Sequence, residues 1–402
     1  MKSVSIRAAM WYLFSLHAVT VGAVVLRGTD RAGVAPHIPS FESFLELHSR
    51  TYKAGSAEYE QRRQLYETRA ASAKLHNSQP DRLWNAGINY LSDWSEAELA
   101  TLRGYRRSGA SLAKRAGGQG RGSAPHGLNL IQNESVALTV PKDKHWPNLL
   151  ASKYIRNQGS CGSCWAIAGA TILQAHAEIH KGIKRTFSAQ QMVSCVPNPQ
   201  ECGGQGGCRG ATVELAMDWV MQNGIAEEFE IPYAAKDATC VGGHNVIMAA
   251  PAKQSIATAS FGMTGWEKLP ENQYAPLLRA VVDKGPVAVS SDASLWGSYD
   301  SGIFNACPLD AIVNHAIVLV GFGETEANGQ TEAVKYWTIQ NSWGRNWGEQ
   351  GHIRILRHDD DQSRCGIDRQ PELGTGCIGG PAQVTVCGMC GILYDSVIPH
   401  FD

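Results

Sequence analysis

The stretch Gln158-Gly159-Ser160-Cys161-Gly162-Ser163-Cys164-Trp165-Ala166 holds the residues best suited to chemistry. Trp165, Ala166, Ile167, Ala170, Ile172 and Leu173 continue from Cys164 as a helical apolar run towards His180, and Lys181-Gly182 supplies a stop. Cys164 therefore falls on the first turn of a helix, where unpaired N–H groups and the helix dipole favour negative charge. A thiol there is expected to have a lowered pKa and to be partly thiolate at neutral pH. A thiolate that attacks an acyl carbon still needs a proton carrier to expel an amine. His315 can hold and donate that proton, and Asn341 can fix the tautomer and orientation of the ring. Gln158 and the backbone N–H of Cys164 can together hold an oxyanion.

These residues must be brought together by elements far apart in the chain. Residues from Phe41 to Thr101 read as helical, with Phe41, Phe44, Leu45, Leu47 and His48 on one side and a second helix from about Ser56 to His76. A further helix is predicted from about Ala211 to Gln222, ended by Asn223-Gly224. Beyond Pro286 the pattern turns to strands: Ala316–Val320, Tyr336–Gln340 and His352–Leu356. Helices come first and strands later without regular alternation, which predicts an α+β protein of two packed parts. The arrangement puts Cys164 on the helical part and His315 and Asn341 on the strand-rich part.

The chain of 402 residues is 43% hydrophobic and 18% charged, enough to bury a core. Its net charge of -1 gives no global field to recruit nucleic acid or an anionic membrane. Eleven cysteines are many for a cytosolic protein, and the odd count leaves one thiol over if the rest pair. Lys2 and Arg7 precede an uncharged run from Ala8 to Leu26, with small residues at Val21-Gly22-Ala23. That is the layout of a cleaved secretory signal, residues 1–26, and it predicts a secretory route with no stable membrane span afterwards. Asn133-Glu134-Ser135 is a glycosylation sequon, so Asn133 is a candidate acceptor. Residues 102–139 carry Arg103, Arg106, Arg107, Lys114, Arg115 and Arg121 among many Gly and Ser, and read as a basic, protease-accessible linker.

The chain resembles the papain family of cysteine proteases. The resemblance rests on the Cys161–Trp165 motif, on Asn314-His315-Ala316, on Asn341-Ser342-Trp343-Gly344 with Trp347-Gly348, and on Val320-Gly321-Phe322-Gly323. His315 lies about 150 residues beyond Cys164, and Asn341 lies a little further than the family spacing. The resemblance implies a two-domain papain-like fold, helical on the left and β-barrel-like on the right, preceded by a helical propeptide. It implies an endopeptidase made as a zymogen, lysosomal, vacuolar or extracellular and monomeric, that acts on protein or peptide substrates without metal or cofactor. In that family Gln158 lines the oxyanion hole, Cys164 is the nucleophile, His315 the acid and base, and Asn341 the orienting residue. Trp343 shields the Asn–His hydrogen bond. Gly210, Ala211, Thr212, Val213, Ser290, Val313, Ala316 and Gln370 would surround the pocket for the residue just upstream of the cut one, with Gln370 at its floor. That floor implies a preference for medium hydrophobic side chains.

Upstream, Glu58, Arg62, Tyr66, Arg69, Ala73 and Asn77 are three or four apart, on one helix face. Their spacing matches the inhibitory propeptide motif of the family, with Tyr66, Arg69 and Ala73 departing in type. Gly87, Asn89, Leu91 and Asp93 match its second propeptide motif. The expected division is an inhibitory propeptide over 27–101, the linker over 102–139, a peptidase domain over 140–369 and a Cys-rich extension over 370–402. Removal of the propeptide is expected between about Ala116 and Val140, with Lys114-Arg115 as a first cut. Other departures are His145 before Trp146, and Ala211 where the family has a second Gly.

Family pattern implies disulfides Cys161–Cys208, Cys195–Cys240 and Cys307–Cys365, and leaves Cys202, Cys377, Cys387 and Cys390 with three possible pairings. Cys161-Gly162-Ser163-Cys164 is also a C-x-x-C, so a thiol oxidoreductase is a rival, but that reading gives His315 and Asn341 no role. A zinc module on Cys387-Gly388-Met389-Cys390 lacks a second close pair. A non-catalytic relative that acts only by binding is the third class, though such proteins usually lose the nucleophile that is present here.

Overall fold

The structure, a computed structural model, describes residues 33–104, 140–241, 263–327 and 332–401. The expected signal segment, Lys114-Arg115 and Asn133 lie outside them. The helices are α1 (Phe41–Leu47), α2 (Ala57–Asn77), α3 (Glu96–Leu102), α4 (Leu150–Lys153), α5 (Cys164–Lys181), α6 (Ala189–Cys195), α7 (Val213–Asn223) and α8 (Tyr274–Arg279). The strands are β1 (Trp84–Ala86), β2 (Lys144–His145), β3 (Met263–Lys268), β4 (Val287–Ser291), β5 (Tyr299–Phe304), β6 (His315–Glu324), β7 (Lys335–Gln340), β8 (His352–Leu356), β9 (Cys365–Asp368), β10 (Val384–Cys387) and β11 (Asp395–Phe401). This is the α+β architecture expected.

Helix α5 lies between the two halves. Every side chain from Cys164 to Ala177 is buried, because one side packs on α6 and α7 and the other on β4, β6 and β11. Gly182 at φ 66° ends it in the left-handed conformation that only glycine adopts readily. The main sheet runs β1-β5-β8-β7-β6-β4-β11-β3, with β2 also on β6. Its far face holds Trp296, Tyr299, Phe304, Phe322, Trp337, Ile339 and Trp347, all buried.

Residues 33–104 have a small core of Phe41, Phe44, Tyr66 and Ala70. Ser56 caps α2 by accepting from the Tyr59 N–H. The α2 motif face binds the turn that follows. Arg62 makes a two-pronged contact with Glu98 at 2.6 and 2.7 Å, and Arg69 reaches the carbonyls of Leu91 and Ser92 at 3.1 Å. Asn77 clamps β1 through both atoms of its amide on Ala86. The departures in type have local uses, since the Tyr66 hydroxyl donates to Pro39 O at 2.7 Å. Residues 41–101 are not helical throughout. β1 breaks the run and adds itself to the edge of the main sheet, with Trp84 opposite Gly302.

The segment 370–402 is not a separate extension. Its last strand, β11, lies inside the main sheet between β4 and β3, and only 369–394 stands outside it. The disulfides Cys161–Cys208 and Cys195–Cys240 are present. The pairing Cys307–Cys365 is not. β9 and β10 form a two-stranded ladder that sets Cys365 directly opposite Cys387, and these two bond. Cys307 is bonded instead to Cys390. Cys202 is bonded to Cys377, so the insertion is tied to the helical half as well as to the strand-rich one. Cys164 is the free cysteine among the described residues. The C-x-x-C at Cys161 is therefore not a dithiol, and Cys387 and Cys390 are not free to hold zinc.

Candidate active site

Cys164 opens α5, and its Sγ accepts from the Ala316 N–H at 3.4 Å. Ala316 follows His315 at the start of β6, so the helix start and the strand start meet at this thiol. Asn341 stands just past the end of β7, the antiparallel neighbour of β6. That pairing brings Asn341 Oδ1 to 2.8 Å from His315 Nε2. The oxygen also accepts from the Ser342 N–H, which fixes the amide with its oxygen towards the ring. His315 Nδ1 is buried with no hydrogen-bond partner among the described residues. Trp343 covers the ring at 5.2 Å between centroids and is itself buried, and Trp347 and Trp296 pack behind it.

Gln158 is held by the same loop. The Ser342 hydroxyl donates to its Oε1 at 2.6 Å, and the Gln158 N–H donates to Ser342 O. Its Nε2 donates to Cys161 O at 2.8 Å and to Leu102 O at 3.0 Å. Leu102 belongs to the upstream segment. A backbone carbonyl of that segment thus occupies the donor expected to hold an oxyanion.

The next described residues press further in. At Gly104 a Cβ would collide with Cys164 Sγ and with Gly162 O, and the Gly104 carbonyl lies against Gly210. Only glycine fits between the thiol and Gly210. Tyr90 donates to Trp343 O at 3.0 Å and Asn89 to Gly297 O at 2.9 Å, and Leu91 is buried in the sheet core. Sequence reasoning did not single out Leu102, Gly104 or Tyr90. Gly104 begins a glycine-rich stretch, and nothing in its type marks it among its neighbours.

This plug reverses the expected ionisation. Burial pushes the Cys164 thiol up to about 12, although hydrogen bonds from the Ala316, Trp165 and Cys164 N–H groups pull the other way. Burial likewise lowers His315 to about 4, against the raising effect of Asn341 and with a smaller push from Arg103. In the closed molecule burial favours the neutral form of both groups.

Gly210, Ala211, Thr212 and Val213 lead into α7 on one side, and Ser290, Val313 and Ala316 stand on the other. Ala211 is not among the residues with positive φ, so its N–H and carbonyl are set as an ordinary residue's. Gln370 does not join them. It is exposed just beyond β9, and the residue paired with Ser290 is Asp395 of β11. The Ser290 hydroxyl donates to Asp395 at 2.6 Å, and Lys268 approaches its other oxygen at 3.2 Å. Glu214 stands 3.7 Å from the same ammonium, and burial together with Asp395 raises its carboxyl to about 7. Residues 369–394 separate β9 from β11, so the residue beside Ser290 lies well beyond Gln370 in the sequence.

A thiol, an imidazole and an amide gathered where a helix meets a sheet, with a peptide of the same chain laid over them, define a thiol hydrolase held shut as a precursor. A family model for papain family cysteine proteases matches residues 140–375, and one for the cathepsin propeptide inhibitor domain matches residues 41–99. Cysteine proteinase 15A of Pisum sativum is 30% identical over 82% of this chain and 84% of its own length. Procathepsin L of Mus musculus is 28% identical over 80% of this chain and 86% of its own. The solved structure of recombinant stem bromelain precursor superposes with a TM-score of 0.64 at 26% identity, over 90% of this chain and 98% of that one. The chain belongs to the papain family of cysteine proteases. It is a cysteine endopeptidase that carries its inhibitory propeptide as a zymogen.

Proposed function

We propose that Cys164 is the nucleophile of this protease, His315 its acid and base, Asn341 the positioning residue for the ring, and Gln158 an oxyanion donor. One observation carries this reading: the backbone from Leu102 to Gly104 lies between Gln158 Nε2, Cys164 Sγ and Gly210, where a substrate backbone must lie. Once that backbone leaves, water reaches both titratable groups and the burial that keeps them neutral is relieved. His315 Nε2 is engaged by Asn341, so Nδ1 takes the thiol proton. The thiolate forms a bond to the scissile carbon, and the carbonyl electron pair moves to an oxygen held by Gln158 Nε2 and the Cys164 N–H. The tetrahedral intermediate collapses, His315 gives its proton to the departing amine, and a thioester remains. Water then loses a proton to Nδ1, attacks the thioester and releases the acid and the free thiol.

Thr212, Val213, Val313 and Ala316 give the upstream pocket its apolar lining, and Asp395, neutralised by Lys268, gives a polar base in place of Gln370. A medium hydrophobic side chain suits it. Five disulfides support a secretory route. Asn133 glycosylation, a cut in 102–139 and a monomeric mature enzyme belong to the same reading.

The test is to shift the purified precursor from neutral to mildly acidic pH with reductant, beside Cys164→Ala. Chain length and hydrolysis of dipeptidyl fluorogenic amides are followed together. Shortening to a core starting near Val140 with activity in the parent alone supports the assignment. Shortening without activity in either protein points to a binding-only relative.

A further inference from the structure

The insertion between Asp368 and Asp395 crosses from one half of the molecule to the other beside the site. Past Pro371–Leu373 the chain meets the strand-rich wall: Thr375 N–H donates to Val313 O at 3.2 Å. Gly374 lies so close to Val313 O that a Cβ there would collide with it. The next residue is already at the helical wall, where Gly203 N–H donates to Gly376 O at 3.2 Å. Cys377 is bonded to Cys202, and Ile378 N–H donates to Gln200 O at 2.8 Å. Two residues of chain and two hydrogen bonds join Val313 to Gly203, so the walls there are no more than roughly 13 Å apart.

Both anchor points border the substrate backbone. Val313 stands two residues before His315, and the Gly203 carbonyl lies against Gly210, as does the carbonyl of Gly104 in the cleft. The crossing cannot swing aside. Cys202–Cys377 fixes it to the helical wall, and Cys365–Cys387 and Cys307–Cys390 fix the returning arm to the strand-rich half.

Building on the active-site reading above, we propose that residues 374–378 form an end wall of the cleft. This stapled strap limits the enzyme to about two substrate residues upstream of the cut bond, with the remaining chain turning out into solvent. The strap is thus a determinant of specificity for peptide length, acting on backbone reach rather than on a side chain.

The test uses the activated enzyme and peptide amides with two, three, four and five residues upstream of the cut bond, the two nearest kept identical. In the parent, kcat/KM is expected to stay within about twofold from two residues to five. In Cys202→Ser/Cys377→Ser the five-to-two ratio within the same enzyme is expected to rise at least fivefold, because the strap is free to move. A parent whose kcat/KM grows tenfold from two residues to five overturns the proposal, as does a variant with an unchanged ratio. If the variant does not fold, the parent series alone decides. Failure of the parent on the two-residue amide would instead strike the active-site assignment.

Discussion

Two segments of this chain lie across the region of Cys164, and they are held by opposite kinds of bond. The upstream segment from Trp84 to Gly104 is held by its ladder to β5, by Asn89 and Tyr90 on backbone carbonyls, and by Leu102 O on Gln158. No cysteine precedes Cys161, so nothing fixes that segment covalently. The strap from Gly374 to Ile378 is held by Cys202–Cys377 and flanked by two more disulfides. Hydrogen bonds and ion pairs exchange with water and with protons, each at a net gain of about 1 kcal/mol. A disulfide in an oxidising compartment does neither. One segment is built to leave the cleft and the other to stay when it has gone.

The largest expected effect separates closing from chemistry. Cys164→Ala should lower kcat by roughly 10⁵–10⁶-fold while both segments stay in place. Hydrolysis of a dipeptidyl amide and the chain length after acid treatment check it. A precursor that still shortens itself would move the nucleophile elsewhere. Next comes the staple. Cys202→Ser/Cys377→Ser should cost the mature enzyme about 2–4 kcal/mol, read as a fall of roughly 5–15 °C in Tm. Retention of the upstream segment in the precursor should change little, since it does not use that bond.

A third change attacks the removable segment. Gly104→Val places a side chain against Cys164 Sγ and Gly162 O. Overpacking of that kind costs about 1–3 kcal/mol. Closure should weaken by roughly ten- to a hundredfold, seen as activity of uncut precursor at neutral pH. A silent, inactive Gly104→Val precursor would mean that the backbone at 104 is not what blocks the thiol.

The difference between these two segments also divides what was legible in the sequence from what was not. Cys164, His315, Asn341 and Gln158 stood in local motifs, and the helix start, strand start and strand end that carry them are local features as well. The α2 face was legible because its residues recur at helical spacing. The strap was not. Which of Cys202, Cys377, Cys387 and Cys390 pair depends on a ladder register between β9 and β10, which no spacing reveals. Asp395 was missed for the same reason, because its place beside Ser290 is set by sheet pairing across an insertion. The ionisation of Cys164 was misjudged because the helix-start argument treats the thiol as open to water. In the precursor, residues sixty positions upstream bury it.

Protons act on the same closure, and the Glu98 ion pair contributes the smallest effect. Burial holds His315 at about 4 instead of 6.5. A group whose closed-state pKa is depressed contributes stability that is complete above its free value and lost as pH falls through the closed one. For His315 that loss runs from 6.5 down to about 4. Glu98 is held at about 2 by Arg62, from 4.5, so its contribution fades lower, between 4.5 and about 2. Its side chain is 40% exposed, which limits the pair to about 1 kcal/mol or less. Acid should therefore loosen the upstream segment in two stages, the imidazole first and the carboxylate second. The Cys164→Ala precursor, which cannot cut itself, allows both to be read as hydrogen-exchange protection of the β1 amides against pH. Adding Glu98→Gln should lower protection at pH 6 by less than about fivefold and erase the lower stage while the upper one remains. Loss of the upper stage instead would assign it to the ion pair rather than to the buried imidazole. The strap amides at Thr375 and Ile378, measured in the same experiment, should show neither stage.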